Sequence, residues 1–415
     1  MKRRLFVFAI IGGLMCFLPI KQADSIDSTL FWMKVKAKDK FERSVIANTG
    51  VSIEAIREDF VVAVGGIAEK KKLQSLGLLE SEFTLLQKLD FPKEDAAYHN
   101  YTELTSRLQD LAKTYPQTSR LFSIGKSIEG RDLWAVEISG NLKEANTLPA
   151  IVFMGGHHAR EHLSVELPIH YIEYLLEEYS KNNSRIVNLV NSRDIFIIPA
   201  VNPDGLEYDI KDGNYKMWRK NRRLNQDGVY GVDLNRNYGY KWGTGGSSTN
   251  TDSEVYMGTA PFSEPETQAI KAFVEKQTNI SILLSFHTFS ELILYPWGHS
   301  YEGIQNTRDK QVHEKMAQTM SQWNDYTPQQ SSELYIASGD TTDWSYGAQK
   351  IISFTFELDP VNRGFGGGGF YPGAKIIPEV VQKNLEPVLY LIEYADNPYR
   401  VLDVRILPPS LDSFN

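Results

Sequence analysis

The sequence predicts an α/β fold. AIVFMGG at 150–156 is a continuous apolar run, the pattern of a parallel strand that is covered on both faces, and further buried strands follow it. Amphipathic helical segments such as Leu163–Ser180 alternate with these strands, which favours a sheet flanked by helices. The length of 415 residues allows one large domain with additional segments, or two or three units.

The composition narrows the class of function. With 44 Lys and Arg against 52 Asp and Glu, the net charge is −8, which argues against nucleic acid as the main partner because phosphate binding needs a basic surface. The apolar content of 42% is typical of a folded protein. Cys16 is the only cysteine and lies near the N-terminus. A mature protein without that segment is expected to have no disulfide and no thiol chemistry.

The first residues have the pattern of a bacterial secretory signal. A basic start at Met1–Arg4 precedes the apolar stretch Leu5–Ile20, and polar residues begin at Lys21. We assign the signal to residues 1–23, although Lys21 is a poor match near the cleavage point after Ala23. The prediction is therefore a secreted, extracellular protein that meets a membrane only through this segment. A retained membrane anchor is the alternative.

Residues 24–89 predict a small α+β unit. STLFWMKVKA at 28–37 and FVVAVGG at 60–66 have strand patterns, and each is followed by a short helical pattern, the first of which closes at Gly50. About sixty residues is near the lower limit for independent folding. Its position directly after the signal favours a pro-segment.

Residues 90–400 predict the large α/β domain, and residues 401–415 form a tail. LDFPKED at 89–95 marks the boundary. The predicted elements, in chain order, are a helix at 95–116, a hairpin at 120–139 with its turn at Glu129-Gly130, strands at 150–156 and 194–205 around the helix 163–180, a helix at 263–277, strands at 280–289, 291–298 and 351–360, and a closing helix at 379–395. Ser263 and Glu266 predict a capping box.

Three of the predicted strands end at side chains that suit metal binding or proton transfer. The first ends at His157 and His158, the second at His287 and the third at Glu357. Ligands of an open α/β sheet bind where its strands end, so these side chains are expected to converge.

His158 and Glu161 form an H-x-x-E pair, and imidazole and carboxylate are usual zinc ligands. His287 is the best third ligand, which leaves one position for water. The pair alone is weak evidence, since a hydrogen-bonded histidine is the common alternative. His157 and His162 are not expected to bind metal.

A longer set of stretches is more specific. FMGGHHARE is followed by NPDG, MWRKNRR, GVDLNRNYGYKWG, SFHTFSELILYPWG, LYIASGDTTDWSYG and FTFEL. In this order they resemble the zinc carboxypeptidase family over about residues 90–400, most nearly its bacterial secreted branch, carboxypeptidase T. The resemblance implies one catalytic domain with a mixed, mostly parallel twisted sheet, and a zymogen whose pro-segment is residues 24–89. It also implies one zinc ion and an activating protease.

The resemblance implies roles for the catalytic residues. The zinc ligands would be His158, Glu161 and His287. Glu357 would be the general base that takes a proton from water and delivers it to the leaving amine. Arg219 would stabilise the developing oxyanion. Asp233 would orient His158.

It implies substrate contacts as well. Asn235 and Arg236 would clamp the C-terminal carboxylate of a peptide, since the planar guanidinium binds a carboxylate in bidentate fashion. Tyr335 would cap that carboxylate, and Arg160 would contact the peptide further upstream. The implied activity is the removal of single C-terminal residues from peptides by a monomeric enzyme.

Two positions depart from the family pattern. Phe289 stands where many members have tyrosine, so a groove hydroxyl is missing. In the specificity pocket Thr342 replaces the usual apolar residue or aspartate, and Asp340 precedes it by two positions. We expect mixed specificity for apolar and basic C-terminal side chains. The alternative is an apolar pocket with Asp340 in solvent.

Other features stay less specific. The segment Ser139–Pro149 departs from the calcium-binding relatives, so surface calcium has no assigned ligands. The remaining basic residues of the MWRKNRR stretch predict an ordinary surface loop; they are Lys216, Lys220, Arg222 and Arg223. A decayed, non-catalytic binding protein would lack a zinc ligand or Glu357. A cell-wall peptidase would lack the Asn235-Arg236 clamp, and an adhesin would add tandem domains.

Overall fold

The described residues form three β-sheets, of four, two and eight strands. The computed structural model describes residues 30–84, 89–90, 95–211, 214–361 and 369–403. The predicted signal at 1–23 and all but the first three residues of the tail lie outside the described residues. Among the helices that are described, none is both long enough and apolar enough to cross a membrane.

The strands and helices follow in chain order. The strands are β1 (Phe31–Lys36), β2 (Ser52–Ile56), β3 (Phe60–Gly65), β4 (Leu79–Thr84), β5 (Leu89–Asp90), β6 (Ser119–Lys126), β7 (Asp132–Ile138), β8 (Ala150–Met154), β9 (Asp194–Ile198), β10 (Asn214–Tyr215), β11 (Ile280–Thr288), β12 (Leu292–Tyr295), β13 (Thr327–Gln330) and β14 (Ile352–Leu358). The helices are α1 (Lys40–Ala47), α2 (Ile67–Ser75), α3 (Tyr101–Thr114), α4 (Leu163–Ser180), α5 (Ser184–Ser192), α6 (Pro203–Asp209), α7 (Pro265–Lys276), α8 (Thr307–Asn324), α9 (Thr341–Gly347) and α10 (Ile377–Tyr394).

The N-terminal unit is a four-stranded antiparallel sheet in the order β2-β3-β1-β4, with α1 and α2 beside it. The predicted strands at β1 and β3 and helices at α1 and α2 are present. Strands β2 and β4 were not predicted, because their sequences, SIEAI and LESEFT, carry acidic residues near the centre of each strand. In β2, Glu54 is buried at a shift in register with β3.

The large sheet has eight strands in the order β13-β12-β14-β11-β8-β9-β7-β6. Neighbours pair in parallel from β14 through β11 and β8 to β9, whereas β12–β14, β9–β7 and β7–β6 are antiparallel. The predicted mixed, mostly parallel sheet is therefore confirmed.

Helices cover both faces of this sheet. Alternate strand residues such as Phe153 and Phe286 pack on one face with α4, α8 and α10, while Val152 and Leu283 pack on the other with α7 and α9. This two-sided burial explains why the central strands are apolar throughout.

Two helix starts differ from prediction. Helix α3 begins six residues after position 95, because Asn100 accepts the Glu103 N–H and Glu103 reciprocates. The predicted Ser263–Glu266 capping box is wrong. Glu264 is the residue that precedes α7, and the Glu266 carboxylate instead accepts the N–H of Ile128.

Candidate active site

A tight turn aims the polar loop at the end of β8. Gly155 follows the strand, and a Cβ there would lie 1.9 Å from the carbonyl oxygen of Ser164. Gly156 has a φ of +65°, which favours glycine. The chain therefore turns closely over the start of α4, and residues 157–161 lie at the carboxyl ends of the parallel strands.

The predicted metal ligands converge. His158 Nδ1 lies 2.7 Å from Glu161 Oε1, and His287 Nδ1 lies 3.0 Å from Glu161 Oε2. The two Nδ1 atoms are 3.2 Å apart, and all three residues are buried. Two imidazoles and a carboxylate match the donor set of a catalytic zinc site. Within the described residues no other group of His, Cys, Asp or Glu converges in this way, so calcium gains no support.

Asp233 lies behind this cluster. Its Oδ1 is 3.3 Å from His158 Nε2, and its Oδ2 accepts from Arg219 Nε at 3.0 Å. Burial alone would raise the pKa of Asp233, but Arg219 and His158 hold it well below its usual range. Asp233 therefore lies at ion-pair distance from both His158 and Arg219.

Strand pairing brings Glu357 to the cluster. Strands β11 and β14 are parallel, and their register pairs His287 with Glu357. Burial raises the pKa of Glu357 well above its usual range, and Glu161 adds to this effect. No cation of the described residues lies within ion-pair distance of Glu357, so its carboxylate is available to the cavity.

A cavity of about 310 Å³ opens beside these groups. Seven of the predicted site residues line it; they are His158, Glu161, Arg219, Asn235, Arg236, Tyr335 and Glu357. Arg236 is oriented by donation from Nε to Gly246 O and from Nη1 to Asn235 O, at 3.0 and 2.8 Å.

Comparison with known proteins decides the family. A family model for zinc carboxypeptidases matches residues 104–387. The chain belongs to the zinc carboxypeptidase family. It is a metallocarboxypeptidase, a peptide hydrolase whose family implies a zinc ion at the His158-Glu161-His287 cluster.

Known relatives are similar to this carboxypeptidase over most of its length. It is 34% identical to a zinc carboxypeptidase of Saccharothrix mutabilis subsp. capreolus over 97% of this chain and 98% of the relative. It is 32% identical to carboxypeptidase A1 of Bos taurus over 73% of this chain and 71% of the relative. The crystal structure of carboxypeptidase A from Helicoverpa armigera matches with a TM-score of 0.74 and 22% identity, over 91% of this chain and 98% of that one.

The N-terminal unit of this carboxypeptidase covers the cavity. Strand β2 and the residue after it form part of the cavity wall; the lining residues are Ile53, Glu54, Ala55, Ile56 and Arg57. Arg160 does not line it, because its guanidinium is buried between Glu54 and Glu254, with Nη1 3.0 Å from Glu254 Oε2. Neither carboxylate was identified by sequence analysis, since each stands in a segment without a motif.

The two predicted pocket residues lie behind the clamp rather than on the cavity. Asp340 caps α9 by accepting the Asp343 N–H at 2.8 Å, and it is only 8% exposed, so the alternative of an Asp340 in solvent is wrong. Among the residues that the structure describes, none bonds its Oδ2. The pKa of Asp340 is raised to about 8, mainly by burial and further by the negative charge of Asp343. Thr342 is buried and bonds Thr355.

Of the four basic residues predicted to form an ordinary surface loop around Arg219, Lys216 is partly exposed, but the other three differ from the prediction. Lys220 is buried and donates from Nζ to Thr251 O at 2.6 Å. The Arg222 guanidinium lies 3.5 Å from the ring centroid of Tyr208. Arg223 bonds the buried Glu264. These three side chains therefore contact other parts of the folded chain. The sequence around them gives no sign of those contacts.

The histidines that flank the cluster have other partners. His162 Nε2 lies 2.9 Å from Asp209 Oδ2. His157 bonds Tyr238, Ser285 and Thr341. Burial, together with His287 and His158, lowers the pKa of His157 well below its usual value. Phe289 is buried and packs edge-to-face on Phe370, at a centroid distance of 4.9 Å.

Proposed function

We propose that this protein is the secreted, monomeric zymogen of a zinc exopeptidase that removes single C-terminal residues from peptides, with mixed apolar and basic specificity. The observation that carries the proposal is the shared cavity. One space is lined by two metal ligands, a carboxylate with no cation partner among the described residues, and four groups suited to a carboxylate or an oxyanion.

The catalytic roles follow from charge and position. Zinc, when bound by His158, Glu161 and His287, would supply a Lewis acid that activates water and polarises the scissile carbonyl. Glu357 takes the proton of the attacking water and delivers it to the leaving amine. Arg219 is held by Asp233 and stabilises the oxyanion, a contribution of about 3 kcal/mol in comparable sites.

The clamp accounts for exopeptidase action. Arg236 and Asn235 bind the terminal carboxylate, and Tyr335 covers it. Thr341 donates from its backbone N–H to Asn235 Oδ1 at 3.0 Å, which leaves the Asn235 Nδ2 group to face a carboxylate. A peptide amide lacks the negative charge that this arrangement binds.

Blocked dipeptides ending in Phe, Leu, Arg, Lys or Glu test the proposal, with their C-terminal amides as controls. The activated protein is expected to release free amino acids from the acids only, and a zinc chelator is expected to stop the release. Release from none of the acids would refute the exopeptidase and turn attention to cell-wall peptides.

The position of the N-terminal unit supports the zymogen. Arg43 donates from Nε to Leu334 O and from Nη2 to Glu333 O, both at 2.6 Å, next to Tyr335. Glu54 engages Arg160, a residue proposed to bind the upstream peptide. A substrate could not reach these groups while the unit is in place, so an activating protease would have to cut near residues 89–95 and release it.

Replacing Glu54 by glutamine is expected to weaken this inhibition. A hydrogen bond to a charged group contributes about 1.5–3 kcal/mol, and Glu254 still neutralises Arg160 after the change. We therefore expect the uncut chain of Glu54→Gln to have at least about ten-fold more residual activity than the uncut parent. The rates are measured on protein shown by gel to be intact.

Glu58→Gln is the matched control, since Glu58 is exposed on the same unit. Its residual activity should equal that of the parent. The zymogen proposal fails if Glu54→Gln behaves like Glu58→Gln and if removal of residues before Asp90 does not increase activity.

Specificity is expected to depend on pH through Asp340. Because the pKa of Asp340 is raised to about 8, its carboxyl is neutral below that pH and negative above it. The ratio of kcat/KM for C-terminal Arg over C-terminal Leu should therefore rise between pH 7 and 9. Taking a ratio cancels pH effects on the catalytic groups that both substrates share.

Asp340→Asn retains a side-chain cap for α9 and removes the charge. It should flatten the Arg/Leu ratio, while the Phe/Leu ratio should be flat in both proteins. An Arg/Leu ratio that is equally steep in Asp340→Asn would exclude Asp340 from the pocket.

A further inference from the structure

His157 is a buried histidine that the proposed mechanism does not use. It is fully buried, and its ring is stacked on that of His287 at a centroid distance of 5.3 Å and an angle of 20°. Its Nδ1 lies 3.2 Å from Ser285 Oγ. Its Nε2 lies 3.0 Å from Thr341 Oγ1. One ring thus bonds two elements, β11 and α9, that carry different parts of the site.

The first half of a hydrogen-bond chain starts at the metal cluster. His287 directs Nδ1 at Glu161 and His158, so a neutral His287 that uses Nδ1 as a ligand carries its proton on Nε2. That Nε2–H donates to Ser285 Oγ at 3.1 Å. Ser285 has one hydroxyl proton, which is then donated to Nδ1 of His157. His157 is thereby left with its own proton on Nε2.

The second half ends at the carboxylate clamp. The His157 Nε2–H donates to Thr341 Oγ1, and the Thr341 hydroxyl donates to Asn235 Oδ1 at 3.0 Å. An amide oxygen only accepts, so this last direction is fixed independently of the first half. The Thr341 hydroxyl thus adds a second donor to Asn235 Oδ1 beside the Thr341 backbone N–H, and both contacts keep the Nδ2 donors toward the cavity.

We propose that His157 is a positioning residue that links the zinc ligand His287 to the clamp residue Asn235 through Ser285 and Thr341. The link keeps His287 in the tautomer that ligates through Nδ1, as partners on the far side of metal-bound histidines do. It also holds Asn235 with its donors toward the substrate carboxylate. The clamp end rests on the proposed function, whereas the zinc end rests only on the family.

A merely structural histidine looks different in this protein. His313 is equally buried, but its Nδ1 bonds the Asp309 carbonyl oxygen in its own helix, and its Nε2 accepts the backbone N–H of Ser353. Within the described residues, neither partner of His313 bonds a site residue. Two of the three partners of His157 do, since Ser285 bonds His287 and Thr341 bonds Asn235.

Two conservative variants separate the ends of the link. Asparagine places a polar atom about where Nδ1 of histidine lies, whereas glutamine places one about where Nε2 lies. His157→Gln should keep KM close to that of the parent and loosen zinc, because the contact to Ser285 is lost. His157→Asn should hold zinc and raise KM about ten-fold. His157→Leu should do both, with zinc affinity reduced about 10–100-fold.

Zinc affinity is measured on the uncut chain by transfer to a chromogenic chelator, and KM on the same proteins after activation. Circular dichroism shows whether each variant is folded. Tyr238→Phe is the matched control, since it removes the other hydroxyl at His157 Nε2 without breaking the chain. Its zinc affinity and KM should stay within two-fold of the parent.

Opposite responses of the Gln and Asn variants would support the link. Equal changes of zinc affinity and KM in both, or a folded His157→Leu that matches the parent in zinc affinity, would overturn it. A parent protein that cleaves no peptide would refute the proposed function instead, and the zinc measurement would still decide the link to His287.

Discussion

Glu357→Gln is expected to lower kcat/KM for a blocked dipeptide by about 10³-fold, which corresponds to about 4 kcal/mol of transition-state stabilisation. Glutamine keeps the shape of the side chain but cannot take the proton of the attacking water. Glu357 pairs in register with His287 and has no cation partner among the described residues, so the change should leave the fold and the zinc cluster intact.

Zinc content and kinetics are measured on the same preparations. Glu357→Gln should retain one zinc per chain with KM little changed, whereas His287→Ala should lose zinc and activity together. Glu291→Gln is the matched control, because this carboxylate lies 3.5 Å from Lys383 and is not among the residues that line the cavity. If Glu357→Gln were as active as Glu291→Gln, the base would have to be another group.

The metal cluster was predictable because buried strands carry their own signal. AIVFMGG and SILLSF are apolar through their length, so the polar side chains that follow them must lie at the sheet edge where parallel strands end. His158, His287 and Glu357 were placed by this reasoning. The distances between these side chains depend on the register of the strands, which the sequence does not give. A shift of one strand by one residue would have turned its side chains to the other face of the sheet.

The cover over the site could not be predicted from sequence patterns. Strand β2 carries Glu54 at its centre, a residue type that is disfavoured in strands, and its carboxylate is paired with Arg160 of the large domain. The Arg160–Glu54 pair joins positions far apart in the chain. Lys220 and Arg223 were likewise predicted to be solvated. Their partners, Thr251 and Glu264, lie well downstream in the sequence, so no local pattern indicates these contacts.

Arg236→Gln is expected to raise KM for peptide acids about 100-fold and to reduce kcat much less. Losing a charged contact to a carboxylate costs about 2–3 kcal/mol, within the range for hydrogen-bonded charge pairs. The geometry favours a large effect, because Gly246 and Asn235 fix the plane of the guanidinium. Nη2 has no partner among the described residues and is free to meet the substrate.

The decisive measurement is the ratio of kcat/KM for an acid and its amide. The parent should prefer the acid strongly, and Arg236→Gln should reduce this preference toward one, because the amide never used the charge. Arg236→Lys should restore part of it, since lysine supplies charge without the planar fork. Lys241→Gln removes an exposed cation a few residues further along the chain and should leave the ratio unchanged. A folded Arg236→Gln that still prefers the acid would place the clamp on other residues.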